Sequence, residues 1–288
     1  MRTTRLLAPT AAALLLAATA ACAPTKEVAS DSSSASAAEC TPDQLHLLHS
    51  GVLTVGTDSP AYDPWFSGND PTNGKGYESA VAYAVAKQLG FTQDQVKWVT
   101  VPFNNSYKPG PKSFDFDINQ ISINPARAKV VDFSDGYYSA AQAVVVLKKG
   151  PAAGATSLAD LAKLKVGAQT GTTSLTAVRD VIKPSSAPLV FQNTNAAKQA
   201  LLNGQVDAIV ADLPTAFYIS AAEIPGSELL GQFSYDGGTP EEFGMLFQKG
   251  NPLVSCVDWA LGQLKQDGTL AAIEKKWLSD VVSVPVLK

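Results

Sequence analysis

The sequence predicts an α/β protein with two lobes, each a mostly parallel sheet with flanking helices. Patterns typical of strands and helices alternate along the chain with short connections, which indicates parallel sheets covered by helices on both faces. The alternation starts again near residue 144, so a second sheet is expected. A length of 288 residues with 45% hydrophobic residues agrees, because such a chain forms one or two globular domains.

The first run begins with the apolar segment VLTVGTD, residues 52–58, which predicts a strand. In the next segment, YESAVAYAVAKQLG, Val81, Val85 and Leu89 are spaced four residues apart before Gly90. This spacing predicts an amphipathic helix that ends at the glycine. The segments VKWVTV and FDINQIS predict two further strands.

The second run repeats this order. Its strands are predicted in AVVVLKK, KVGAQ, PLVFQN and VDAIVAD, and its helices in SLADLAKL, in residues 173–182, in NAAKQALLNG and in LPTAFYISAA. Ser157 is expected to cap the first of these helices, because its hydroxyl can accept from backbone N–H groups of the first turn.

The first 22 residues have the layout of an export signal. Arg2 and Arg5 precede an apolar run, residues 6–18, that is too short to span a bilayer. The segment TAAC, residues 19–22, resembles a lipoprotein cleavage box in which Cys22 becomes the lipidated first residue of the mature chain. Ordinary signal cleavage nearby is the alternative. Lipidation is favoured because it removes a thiol that would otherwise be exposed in an oxidising compartment.

Residues 23–40 are rich in alanine and serine and poor in large apolar groups, which predicts a flexible linker. Together with Cys22, the linker predicts an extracytoplasmic protein anchored to the cell membrane by a lipid. Cys40 and Cys256 remain, and an even number of cysteines in an exported chain favours a disulfide over two buried thiols. A bridge would place both ends of the folded body in one lobe, so the chain would leave that lobe and return.

Several function classes are disfavoured. The formal net charge of −4 argues against a nucleic-acid groove. His46 and His49 are the only histidines and have no clustered acid or cysteine, so the sequence predicts neither a metal site nor a hydrolytic triad. No cofactor is expected.

Polar groups follow the predicted strands at the points where these strands end. They are Asp58, Ser122 with Arg127, residues 170–174 (TGTTS), and Asp212. In open parallel sheets, ligands bind beyond the carboxyl ends of the strands. Arg127 offers a planar fork of donors to a carboxylate. The hydroxyls and N–H groups of TGTTS suit the same anion, and Asp212 can accept from an ammonium group. Together these groups predict a site for an α-amino acid.

The order of several segments strengthens this interpretation. The segments are GVLTVGTD, GKGYESAVAYAVAKQLGF, FDINQISINPARAKVVDFSDGYY, SLADLAKLKVGAQTGTTS, GQVDAIVADLPTAFY, EEFGMLFQKGN and LGQLKQDGTLAAIEKKWL. Over roughly residues 45–280 the chain resembles the extracytoplasmic solute-binding proteins, family 3, of polar amino-acid ABC transporters. The resemblance implies a type II periplasmic-binding-protein fold with two hinge strands. Its first lobe would comprise residues 41–143 plus 241–288 and its second lobe residues 144–240.

The resemblance also implies a function. The protein would be a monomeric receptor, not an enzyme, that delivers a polar amino acid to an ABC transporter permease. The alternative is a periplasmic dehydratase of the cyclohexadienyl type on the same scaffold, since a few relatives act on prephenate or arogenate. Such an enzyme needs a general acid, and Asp58 or Glu78 would have to supply it.

The family's ligand site can be carried over residue by residue. Arg127 would bind the α-carboxylate with Ser122 and the Thr173 amide, next to Thr172, and Asp212 would bind the α-ammonium with the Gln120 carbonyl. Tyr62 and Phe103 would sandwich the ligand's side chain, although DSPAY is one residue longer than the family's usual approach to this tyrosine. Asp58, Asn119 and Gln169 would set side-chain selectivity.

Each residue also has a structural interpretation. Arg127 could be a surface cation. Helix capping is the alternative for Asp212, Thr172 and Thr173. Asp58 could brace a turn through its own backbone. Tyr62 and Phe103 could be core aromatics.

The side-chain lining of Asp58, Asn104, Asn119 and Gln169 offers amides and one carboxylate but no cation. It therefore predicts a ligand with a neutral amide or a basic side chain, with glutamine or asparagine ahead of arginine or lysine.

Overall fold

The computed structural model of the protein describes residues 36–235, 241–278 and 284–288. The predicted export signal, Cys22 and most of the predicted linker lie outside these residues. The strands are β1 (Leu53–Thr57), β2 (Val96–Thr100), β3 (Phe116–Asp117), β4 (Val131–Phe133), β5 (Tyr138–Ala140), β6 (Gln142–Leu147), β7 (Val166–Gln169), β8 (Leu189–Phe191), β9 (Ala208–Asp212), β10 (Ser227–Phe233), β11 (Glu241–Phe243) and β12 (Leu246–Gln248).

Among the described residues, five of the α-helices lie where the periodic segments predict them, and four were not predicted: two short ones in the first lobe and the last two of the chain. They are α1 (Tyr77–Gln88), α2 (Phe103–Ser106), α3 (Pro125–Ala128), α4 (Leu158–Leu161), α5 (Thr173–Ala177), α6 (Thr194–Leu202), α7 (Leu213–Tyr218), α8 (Leu253–Gln266) and α9 (Thr269–Trp277). Ser157 caps α4 as predicted, accepting from the N–H of Asp160. Within the described residues, no helix is both long and apolar enough to span a bilayer.

The first sheet has the strand order β2-β1-β3-β12-β4. One face of this sheet is covered by α1, α8 and α9, whose apolar faces include the buried residues Val81, Val85 and Val257. A smaller cluster around Phe103 and Phe114 fills the other side. The sheet and these helices form the first lobe.

The second sheet has the order β10-β6-β9-β7-β8. Leu161 of α4 and Leu175 of α5 pack on one face. Leu201 of α6 and Ala216 of α7 pack on the other face. The second lobe is therefore a sheet between two helical layers, and the predicted two-lobed α/β fold is confirmed.

Both sheets are mixed. In each, three neighbouring strands are parallel, β2-β1-β3 and β9-β7-β8, whereas β12 and β6 run antiparallel to their neighbours. The strands β6 and β12 follow directly from the segments that cross between the lobes, so they enter their sheets from the opposite end. A hydrophobic run does not reveal this direction.

The crossings form a two-stranded antiparallel ribbon, in which Glu241 of β11 pairs with Ala140 of β5. The chain crosses outward through β5 into β6 and returns through β11 into β12. Residues 284–288, which the family resemblance placed in the first lobe, lie against the second sheet instead: Val286 bridges to Gln232, and Leu287 packs in the second lobe's core.

Cys40 and Cys256 form a disulfide, as predicted, with their Cα atoms 5.3 Å apart. The bond joins the segment before β1 to α8, on the first lobe. Both ends of the first lobe's chain are thereby tied together across 216 residues of sequence.

Candidate functional site

A cleft of about 810 Å³, including its open mouth, lies between the two lobes. Ten of the eleven residues predicted to bind the ligand line it: Asp58, Tyr62, Phe103, Asn119, Gln120, Ser122, Gln169, Thr172, Thr173 and Asp212. The eleventh, Arg127, is absent from the lining and lies directly behind Ser122. Asn104, expected at the side-chain end, is also absent from the lining, and its Oδ1 accepts from Tyr107.

Arg127 is positioned by the short helix α3. The Asn124 side chain caps this helix by accepting from the Arg127 N–H at 2.9 Å, and Pro125 fixes the first turn. Arg127 is only 7% exposed, so the surface interpretation is wrong. Burial lowers the pKa of its guanidinium from its ordinary value, although tyrosine and carboxylate neighbours act in the opposite direction.

The guanidinium of Arg127 contacts both lobes. Its Nη1 donates to the Ser122 carbonyl at 2.8 Å, and its Nη2 donates to the Gly171 carbonyl at 2.9 Å. It also lies over the rings of Tyr107 and Phe103, at 4.8 and 5.5 Å from their centroids. These partners are dipoles and aromatic faces rather than anions.

Other contacts also join the lobes across the cleft. The hydroxyls of Ser122 and Thr173 are 3.2 Å apart, and the Trp65 indole donates to the Thr215 hydroxyl at 2.8 Å. The two lobes therefore meet at more than one side of the cleft, which is a closed arrangement.

Thr172 and Thr173 open helix α5 at the end of β7. The Thr172 hydroxyl accepts from the Leu175 N–H at 3.1 Å and donates to the Gln169 carbonyl at 2.8 Å. Thr172 is thus a helix cap, and it also lines the cleft. Thr173 is buried, with its hydroxyl turned to Ser122.

Asp212 ends β9 on the opposite lobe from Arg127. Its side chain makes no capping hydrogen bond to helix α7, so the capping interpretation is wrong. Its Oδ1 instead accepts from the side-chain amide of Gln142 at 3.0 Å. Burial and the neighbouring Glu241 raise the pKa of Asp212 to about 8.

Gln120 has a left-handed backbone, with φ of 48°, and is held from behind by Glu78. Its N–H donates to Glu78 Oε1 at 2.6 Å, and its side-chain amide donates to the other oxygen. Glu78 is fully buried and also accepts from the Tyr137 hydroxyl. Burial raises the pKa of Glu78 to about 7, although these hydrogen bonds favour the ionised form.

The side-chain end of the cleft combines donors with one acid. Asp58 accepts from the N–H groups of Ser59 and Phe103 at 2.7 and 3.2 Å, so it braces its turn and lines the cleft at once. Burial raises its pKa. Gln169 Oε1 accepts from Thr194, which leaves its amide nitrogen as a donor. Asn119 Nδ2 is buried and has no hydrogen-bond partner among the described residues.

Sequence reasoning missed several lining residues, namely Pro60, Ala61, Phe66, Thr194, Ala197 and Thr215. Thr194 follows strand β8 and could have been found by the same rule of strand ends. It also missed Lys198, whose ammonium group lies 5.5 Å from the Tyr62 ring centroid and pairs with Glu223 at 2.7 Å.

The cleft and the fold agree with a known family. Residues 53–280 match the model of the bacterial extracellular solute-binding proteins, family 3. The chain belongs to this family. It is a solute-binding protein rather than an enzyme, as the sequence predicted.

Individual relatives match over most of their length. The chain is 33% identical to the L-cystine-binding protein TcyA of Bacillus subtilis (strain 168) over 242 residues, which cover 81% of this chain and 83% of TcyA. A solved ancestral arginine-binding protein bound to glutamine is 33% identical, with a TM-score of 0.66 over 80% of this chain and 98% of that one. The ancestral amino acid-binding protein AncCDT-1, a precursor of cyclohexadienyl dehydratase, is 32% identical, with a TM-score of 0.66 over 79% and 95% of the two chains.

Proposed function

We propose that this protein binds a polar α-amino acid with a neutral amide or basic side chain between its lobes and delivers it to an ABC transporter permease. One observation carries the proposal. Among the described residues, the ion pairs join Lys163 to Asp160, Lys198 to Glu223 and Lys249 to Asp132, and neither Arg127 nor Asp212 takes part in one. A cleft with a buried guanidinium behind one wall and a carboxyl group on the other, neither of them in an ion pair, suits a zwitterion.

The two charges define the orientation of the ligand. The α-carboxylate would bind the remaining N–H groups of Arg127, the Ser122 hydroxyl and the Thr173 N–H at the start of α5. Arg127 carries five donors, and two are used by backbone carbonyls. The α-ammonium would bind Asp212 and the carbonyl of Gln120, which Glu78 holds in its left-handed conformation.

The ligand's side chain would lie between Tyr62 and Phe103 and reach Asp58, Asn119 and Gln169. A side-chain amide can accept from Asn119 and Gln169 while it donates to Asp58, so it uses both kinds of group. A basic side chain would pair with Asp58 and stack on the aromatic faces. An acidic side chain would be desolvated beside Asp58 without a cation, and an aliphatic one would leave the amides unpaired at about 1–3 kcal/mol for each buried group.

The test is thermal melting against the twenty common amino acids, followed by titration calorimetry with L-glutamine, L-arginine, L-glutamate and L-leucine. A bound ligand raises the melting temperature by mass action. We expect L-glutamine or L-arginine to bind most tightly of the four. Tightest binding of L-glutamate or L-leucine would show that the proposed side-chain lining is wrong, and no stabilisation by any amino acid would overturn the proposed function.

We further propose that the mature chain is a monomer that begins at a lipidated Cys22 and is tethered to the outer face of the membrane through residues 23–40. The TAAC segment and the composition of the linker support this. Mass spectrometry of the membrane fraction should find a diacylated N-terminal peptide. The variant Cys22→Ala should lose this mass and move to the soluble fraction, and an unmodified Cys22 in membrane-bound protein would contradict the anchor.

A further inference from the structure

A second carboxylate lies behind the proposed ammonium site. The side-chain amide of Gln142 donates to Asp212 Oδ1 at 3.0 Å and to Glu241 Oε2 at 2.8 Å from the same nitrogen. Two hydrogen bonds from one nitrogen place the two carboxylate oxygens within about 6 Å of each other. Glu241 belongs to β11, one strand of the ribbon between the lobes, and Gln142 begins β6 where the other crossing segment enters the second sheet.

This group of three side chains is incompletely satisfied, and two of its members are buried while Asp212 is half-buried. Gln142 is 0% exposed and Glu241 is 8% exposed. Neither Gln142 Oε1 nor Glu241 Oε1 has a hydrogen-bond partner among the described residues. Burial and the neighbouring Glu241 both raise the pKa of Asp212, so Asp212 retains a proton more readily than a solvated aspartate when no ligand is bound.

We propose that Glu241 is a positioning residue for the ligand's ammonium group: through Gln142 it orients Asp212, and its proximity favours on Asp212 a proton that the incoming ammonium group displaces into solvent. The step balances, because the neutral carboxyl group loses its O–H proton to the buffer and the resulting carboxylate accepts hydrogen bonds from the ligand's N–H groups. The inference rests on the proposed function, since it assigns the ammonium group to Asp212.

The surroundings of the pair support this assignment. Glu78 of α1 adds negative potential at Asp212, and Tyr138 of β5 is a neutral neighbour. Arg127 of α3 interacts electrostatically with both carboxyl groups, but it forms no ion pair with either. The ligand's ammonium group would therefore be the cation that brings Asp212 to full charge. Consistent with this, Glu241 raises the pKa of Asp212.

The test compares Glu241→Gln with Glu242→Gln, a matched control on the next residue, whose side chain is exposed. Calorimetry with L-glutamine and L-arginine in buffers of different ionisation enthalpy counts the protons released on binding. We expect the original protein and Glu242→Gln to release a substantial fraction of one proton near pH 7. Their Kd should fall by about three- to tenfold per pH unit between pH 6 and 7.5, as release of up to one proton requires. Glu241→Gln should release almost none and have a nearly flat pH profile.

A second variant should change the number of protons released on binding in the opposite direction. Gln142→Met keeps the volume of the side chain but removes the donor that favours the ionised carboxylates. It should release more protons than the original protein near pH 7. Equal proton release by the original protein and Glu241→Gln would overturn the proposal, and so would reduced release by a folded Gln142→Met.

Melting without ligand separates this inference from the proposed function. A carboxyl group whose pKa is raised on folding stabilises the native state below its unfolded pKa, and this contribution is lost as the pH rises toward the folded pKa. Glu241→Gln removes the carboxylate that raises the pKa of Asp212, so the variant loses less stability as the pH rises. The melting temperature of the variant relative to that of the original protein should therefore rise between pH 5 and pH 8. If this gain is seen while no amino acid binds, the effect of Glu241 on the Asp212 proton stands and the proposed function fails. A melting difference that is constant with pH contradicts this effect of Glu241.

Discussion

Replacing Arg127 by methionine removes the buried cation at the centre of the proposed carboxylate site. Methionine keeps most of the apolar volume of the side chain, so the rings of Tyr107 and Phe103 retain a neighbour. The hydrogen bonds to the carbonyls of Ser122 and Gly171 are lost. A bound ligand would then bury its carboxylate without a cation.

The magnitude follows from this desolvated charge. Removing one partner of a buried charge pair costs roughly 3–5 kcal/mol, which corresponds to a loss in affinity on the order of a hundredfold to several thousandfold. The effect on folding should be smaller, since two hydrogen bonds to a cation are lost but a desolvated guanidinium is lost with them. We expect the free energy of unfolding to change by no more than about 2 kcal/mol.

The assay is titration calorimetry with the amino acid that binds most tightly to the original protein, with denaturant unfolding measured in parallel. Lys129→Met is the matched control, because it removes a cation two residues away that is exposed. It should bind the ligand within about twofold of the original protein. A loss of less than about fivefold for a folded Arg127→Met would show that Arg127 does not bind the carboxylate.

Three further predictions concern the cleft. Asp212→Asn should weaken binding of α-amino acids by at least about tenfold in calorimetry without lowering the melting temperature, because the amide removes a desolvated carboxylate. Gly171→Ala should weaken binding and shift small-angle scattering toward a larger radius, since a Cβ there would clash with Asn104 of the other lobe and the backbone φ of 75° disfavours alanine. Glu78 has a pKa raised to about 7, so its contribution to stability is present below about pH 4 and is lost as the pH rises through 7. Glu78→Gln should therefore flatten the fall in melting temperature between pH 5 and 8.

Much of the fold could be predicted because local patterns determine it. The strand β1 and the helix α1 follow from apolar spacing alone, and the restart of the alternation gave the second lobe. The directions of β6 and β12 could not be predicted, because an apolar run does not specify which end of a sheet the chain enters. The position of residues 284–288 depends on contacts with Gln232 and Leu158, which are distant in sequence.

One rule predicted part of the cleft lining, because Asp58, Ser122 and Asp212 each end or follow an apolar strand and the carboxyl ends of parallel strands meet at one edge. The resemblance to the family alone supplied Tyr62, Phe103, Asn119, Gln120 and Gln169. The position of Arg127 behind the lining could not be predicted, since it depends on which carbonyls its side chain reaches.

The supporting roles of the buried acids behind the cleft were not predicted for a related reason: Glu241 was missed, and Glu78 was named only as a general acid of the alternative enzyme. Glu241 and Gln142 are 99 residues apart, and Glu78 and Gln120 are 42 residues apart. An isolated glutamate in a sequence has the pattern of a solvated surface charge, and only the fold shows that it is buried. These residues act through others, so no rule about strand ends or ligand chemistry identifies them.

The positions of Arg127 and Asp212 on different lobes also determine which ligands can hold the lobes together. Arg127 belongs to the first lobe and Asp212 to the second, and an α-amino acid carries its carboxylate and its ammonium group on the same carbon. A ligand that binds both residues must therefore hold the lobes close together, whereas a molecule with only one of these groups can bind to one lobe and leave the cleft open. A ligand shifts a conformational equilibrium only by its difference in affinity for the two states. The separation of the charges between lobes makes that difference large for an α-amino acid and small for a simple amine or carboxylic acid.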